Sequence, residues 1–102
     1  MIIHINMSEN IYSSGKIYKI CDNSYNMCYF GSTVQKLTQR MTSHRKDYRQ
    51  YKSGDKKKYT SAFAIFDEYG IDNCKIELVE VFPCNSKEEL HKREGEYIRN
   101  NQ

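Results

Sequence analysis

The 102-residue sequence predicts an α+β (mixed α/β) domain, a small three-stranded antiparallel sheet flanked by helices in the order ββααβα. Three observations lead there. Residues 16–21 alternate with period two and run into a turn-rich stretch at residues 22–26 that returns as a second strand, the spacing becomes helical from Lys36, and a helix-start signature follows the single proline, Pro83.

Residues 1–14 show no periodicity and read as an irregular leader, within which Met7 is a candidate natural start. From Lys16 to Cys21 the chain alternates, with Ile17, Lys19 and Cys21 on one side and Tyr18 and Ile20 on the other, which predicts a half-buried strand. Asp22-Asn23-Ser24-Tyr25-Asn26 is turn chemistry, because Asp, Asn and Ser side chains bond their own backbone. A second strand then spans Met27 to Ser32, so the pair forms an antiparallel hairpin. Leu37, Met41, His44 and Tyr48 recur at helical spacing and predict a helix of about 14 residues closed by Ser53-Gly54-Asp55. Ser61 to Tyr69 is a second helix stopped by Gly70, and Ile76 to Phe82 a third strand. Ser86-Lys87-Glu88-Glu89 is a capping box, which starts a last helix running from about Lys87 to Asn100.

Composition narrows the function classes. No stretch approaches the roughly 18 to 20 apolar residues of a membrane span, and residues 1–14 have neither the basic opening nor the apolar run of a signal peptide. An intracellular, non-secreted protein without a membrane partner is expected. In that setting Cys21, Cys28, Cys74 and Cys84 are expected to be free thiols, the first two facing each other across the hairpin as small hydrophobes. Their spacings of six and nine intervening residues lack the pairs of a structural zinc site. The net charge of +3 hides three unlike segments: residues 1–35 are neutral, 36–59 carry +7 and 60–102 carry −4. The basic segment is either a solvated face or a footprint for phosphates, in which Arg45, Arg49, Lys56, Lys57 and Lys58 are the candidate nucleic-acid contacts. Tyr48, Tyr51 and Tyr59 lie among these residues, where base stacking would accompany phosphate pairing.

Two charged residues stand where amphipathic helices would carry apolar ones. Glu94 falls four residues from both Leu90 and Ile98, on the core-side stripe of the last helix, where a carboxylate needs a cation, a proton or a metal. Arg40 lies beside Leu37 and Met41, four residues before His44 on one face. The plainer alternative is that Arg40 and Glu94 simply pair at the margin of the core.

Gly15-Lys16-Ile17-Tyr18 on the first strand, with Tyr29-Phe30-Gly31 on the second, resembles the paired tripeptides of the GIY-YIG nuclease superfamily. The resemblance runs on through Ser32, Thr33, Leu37, Arg40 and His44 to Arg93-Glu94 and Tyr97-Ile98, covering about residues 15–100. It implies a nuclease domain over 15–102, closest in flavour to homing-type and large-DNA-virus members. By resemblance Tyr18 is the general base or water-positioning group, Tyr29 supports the attacking water or the phosphate, and Arg40 neutralises the scissile phosphate. His44 is a proton carrier or phosphate contact, and Glu94 holds one divalent metal, Mg2+ or Mn2+. Residue chemistry agrees: a carboxylate is the hard oxygen ligand that Mg2+ selects, and the arginine fork suits phosphate. A phenol near its ordinary pKa of about 10 is a poor base, so Tyr18 is expected to need a positive neighbourhood.

The sequence also departs from the family pattern. Lys16 widens the first tripeptide and Phe30 replaces the isoleucine of the second. The family's late asparagine, a dozen or more residues beyond the glutamate, has no counterpart, since eight residues follow Glu94 and Asn100 and Asn101 come too early. The reading is a metal-dependent DNA endonuclease module that nicks one strand per active site. The alternative is a catalytically impaired nucleic-acid-binding domain of the same fold. Target choice would then come from a targeting domain or partner protein outside this chain, and a double-strand cut from a transient dimer on DNA.

Overall fold

The computed structural model describes residues 10–55 and 59–101. It has the expected class and order: strands β1 (Lys16–Asp22) and β2 (Cys28–Thr33), helices α1 (Leu37–Lys52) and α2 (Ser61–Tyr69), strand β3 (Cys74–Val81) and helix α3 (Lys87–Asn100). Lys56, Lys57 and Lys58 lie outside the described residues. Where an irregular leader is expected, residues 11–14 instead make a 3-10 turn, capped by Asn10, whose amide also donates to the Cys84 carbonyl at 2.7 Å.

The sheet order is β2-β1-β3, antiparallel throughout. This corrects the half-buried reading of β1. As the central strand it is covered on both faces, and Ile17, Tyr18, Ile20 and Cys21 are all buried. Tyr18 and Ile20 face α1 and α2, joining Met41, Ala62, Phe63, Ile65, Phe66 and Cys74 in the main core. The alternation of a strand sends Phe30 and Ser32 of β2 to the opposite face, where α3 lies: Phe30 stacks on Tyr97 with ring centroids 5.8 Å apart.

Local chemistry explains the boundaries. Asp22 is buried, and its carboxylate accepts from the backbone N–H of Met27 (2.7 Å) and Ser24 (3.1 Å) and from the Asn26 amide (3.1 Å), which shapes the hairpin turn. Burial alone would raise its pKa, and these donors hold it below the usual carboxylate value. Gly70 ends α2 at φ 89°, in the region that favours glycine. Ser86 caps α3 by accepting from Glu89 N–H, and the Glu89 carboxylate reaches back to the N–H of Asn85.

Two further expectations are corrected. Cys21 and Cys28 do face each other in the β1–β2 register, with Cα atoms 4.2 Å apart, but as a disulfide rather than as two thiols; Cys74 and Cys84 are free. The tyrosines of the basic segment also serve the interior rather than standing ready for bases. Tyr48 packs edge-on against Phe63 and Phe66, Tyr51 packs on Phe63, and the more exposed Tyr59 meets Tyr51 and Phe63. They join the end of α1 to α2, their ring–ring contacts filling the space between the two helices.

Candidate active site

Four of the five residues singled out for chemistry come from both strands of the hairpin and from α1. Tyr18 projects from β1 toward α1, where its hydroxyl lies 2.8 Å from Nε2 of His44 and accepts from Nε of Arg40 at 3.2 Å. Arg40 and His44 are one helical turn apart, so a single face of α1 delivers both to the same phenol. Arg40 donates into the Tyr18 oxygen, and the tautomer of His44 decides whether the phenol donates to Nε2 or accepts from it. Tyr29 completes the group, its ring centroid 6.4 Å from Tyr18 and 5.9 Å from His44.

Gly31 makes the approach possible. It pairs with Tyr18 across the hairpin, and a Cβ built on it would stand 2.5 Å from the Tyr18 hydroxyl and 2.6 Å from Cζ. The Tyr18 ring therefore lies across bare backbone, and the glycine of the second tripeptide is a matter of space.

Glu94 enters from the other face of β2. Its Oε1 accepts from the Ser32 hydroxyl at 2.5 Å, and the side chain is half-buried. It forms no ion pair with Arg40 among the described residues, which removes the plainer alternative of a simple pair at the core margin. Its charge nonetheless reaches both phenols. The site therefore straddles the edge strand β2: Tyr29 and Gly31 serve one side, Ser32 the other. Beside it runs an open groove of about 410 Å³ whose lining includes Ser32, Gln35, Arg40, Lys87 and His91.

Electrostatics sets the resting protonation. Burial, reinforced by Tyr29 and only partly opposed by Arg40, raises the Tyr18 phenol well above its ordinary value. Burial and the Glu94 charge raise Tyr29 too. Burial, with the Arg40 charge, pulls His44 down to about 4. The positive neighbourhood expected for Tyr18 is present in Arg40 but loses to desolvation, so at neutral pH a protonated phenol faces a neutral imidazole.

The other candidates are not gathered here. Arg45 turns away from the cluster, half-buried and close enough to Cys74 to act on its thiol, with Nε covered and unpartnered among the described residues. Arg49 is exposed in the last turn of α1. Sequence reasoning gave no role to Ser32, nor to the clamp that seats α3, in which Arg93 bonds Glu80 and Glu96 at 2.7 and 2.6 Å and Tyr97 donates to Glu80 at 3.0 Å. Apart from the i,i+3 pair Arg93–Glu96, these contacts cross between elements and leave no local pattern.

Among the described residues no helix is long and apolar enough to cross a membrane, and no three His, Cys, Asp or Glu side chains cluster as a metal site. Comparison with curated proteins and with solved structures returns no match. The family model of the GIY-YIG catalytic domain, however, matches residues 14–102, which takes in β1, β2, Arg40, His44 and Glu94 together. The chain belongs to the GIY-YIG nuclease superfamily.

Proposed function

We propose that this domain is a metal-dependent DNA endonuclease that hydrolyses one phosphodiester bond per active site and so nicks a single strand. The observation that carries the reading is the convergence of Arg40, Tyr18 and His44 in one hydrogen-bonded cluster with a carboxylate beside it.

The residues divide the work. Arg40 spends only Nε on Tyr18, so its two terminal nitrogens, without partners among the described residues, are free to grip the scissile phosphate and offset charge that builds on it. Tyr18 sits between a water and His44. As the water attacks phosphorus its proton passes to the Tyr18 oxygen, and the phenol proton passes to Nε2 of His44, so the phenolate never has to accumulate. Burial and the Arg40 charge keep His44 unprotonated and so open to a proton, but they also weaken it as a base. The relay therefore relies on the negative charge of the bound phosphate to favour the imidazolium. Tyr29 flanks the water or the phosphate from the same face.

Glu94 fits a divalent cation such as Mg2+ or Mn2+. One oxygen is held by Ser32, no cationic side chain competes for the other among the described residues, and Mg2+ commonly binds through one or two carboxylates while keeping several waters. Bound there, the ion would neutralise phosphate charge and stabilise the departing oxygen. DNA is the proposed partner, and cutting both strands would take a second encounter or a transient dimer. Arg49 and the basic residues at 56–58 are proposed to follow the phosphate path.

Conversion of supercoiled plasmid to open circle, with Mg2+ or Mn2+ and with a chelator, tests this reading. Wild type nicks only with the cation, and Glu94→Gln binds DNA but nicks at least about 100-fold more slowly. Equal, negligible nicking by both, with DNA binding intact, would instead favour the impaired binding domain.

A further inference from the structure

We propose that Ser32 is a positioning residue for the cation site, presenting the Glu94 carboxylate to the metal. This rests on the reading that Glu94 is the metal ligand. Ser32 and Gly31 are neighbours on β2, and strand alternation turns them to opposite faces: Gly31 toward Tyr18, Ser32 toward α3. The Ser32 hydroxyl donates to Oε1 of Glu94 at 2.5 Å, an interaction of the short, charge-assisted kind. It is the one hydrogen bond that the carboxylate makes among the described residues, and no lysine or arginine pairs with it.

A glutamate on a helix has three rotatable bonds and would otherwise sample several rotamers at this half-buried position. Fixing Oε1 to the sheet stops that sampling and leaves Oε2 with its lone pairs free. Both ends of the link are themselves held. Ser32 lies within the β1–β2 ladder opposite Ile17, and α3 is pinned by the Phe30–Tyr97 stack and by Tyr97 and Arg93 on Glu80. A hydroxyl suits this duty better than an arginine or lysine, because it orients the carboxylate without neutralising the charge that the cation needs. Partners of this kind typically contribute 10- to 100-fold in metal affinity.

The test is Mn2+ binding by the full chain without DNA, followed by water-proton relaxation up to millimolar metal. Glu94→Gln is expected to abolish specific binding, Ser32→Ala and Ser32→Cys to weaken it about tenfold, and Ser32→Thr, which keeps the hydroxyl, to stay within about twofold of wild type. Thermal melts of the same proteins separate loss of the cation site from loss of fold; a residue important only for packing would not distinguish Thr from Cys in affinity. If Ser32→Ala and Ser32→Cys bind like wild type while Glu94→Gln does not, the role of Ser32 is overturned and the metal reading stands. If Glu94→Gln, or wild type itself, shows no difference from a protein without a site, the metal reading is what fails.

Discussion

At Gly31 a single hydrogen atom decides whether the site can form, because the Tyr18 ring occupies the volume that any side chain would need. Gly31→Ala is expected to displace the phenol from Arg40 and His44, lowering stability by about 1–3 kcal/mol and turnover by roughly 100-fold, as urea titration and plasmid nicking would register. His44 makes a second prediction at this scale. Its folded pKa of about 4 lies below the ordinary 6.5, so between those values the unfolded chain binds more protons than the folded one. Stability from this group is fully present above pH 6.5 and is lost as pH falls toward 4, a loss of about 3 kcal/mol. Asp22, held below its usual value, adds its own loss only at lower pH. The melting temperature of wild type should therefore fall through this window, while that of His44→Gln should stay flatter; parallel curves would mean that His44 is not held neutral.

Helix α3 shows how an element carries a functional group to its place. Leu90 is buried, the Phe30–Tyr97 stack and the Arg93–Glu80 contact hold the middle of the helix, and Glu94 arrives on the same inward side. Ile98, read as part of that stripe, is 39% exposed, so the seat loosens beyond Tyr97. Ser86→Ala removes the cap and should cost about 1 kcal/mol, a drop of several degrees in a melt with the assay still positive. The helices and the hairpin were legible because their signals are local: spacing in α1, an Asp-Asn-Ser turn, a capping box, a glycine after α2. The burial of both faces of β1 was not legible, since alternation cannot say which strand will be central when β3 returns from 50 residues away to pair with it. Tyr18, Arg40 and His44 stood out by residue type and order, whereas the Ser32–Glu94 contact joins residues 62 apart and becomes visible only once α3 is docked.

Across the whole molecule, the nine tyrosines serve different places: Tyr18 and Tyr29 line the proposed site, while Tyr48 and Tyr51 fill the junction of α1 and α2. The Cys21–Cys28 bridge closes the hairpin whose strands carry those first two tyrosines. Denatured, non-reduced protein should therefore show two titratable thiols rather than four, and reduction should lower stability by about 2 kcal/mol for so short a loop. The central claim is that a phenol held between Arg40 and His44 handles the proton of the attacking water. Its most direct test is Tyr18→Phe, which keeps the ring over Gly31 and removes only the hydroxyl, assayed for plasmid nicking and for DNA binding side by side. The account predicts that nicking falls by about 100- to 10,000-fold while DNA affinity stays within about twofold. Nicking at the wild-type rate by Tyr18→Phe would contradict it.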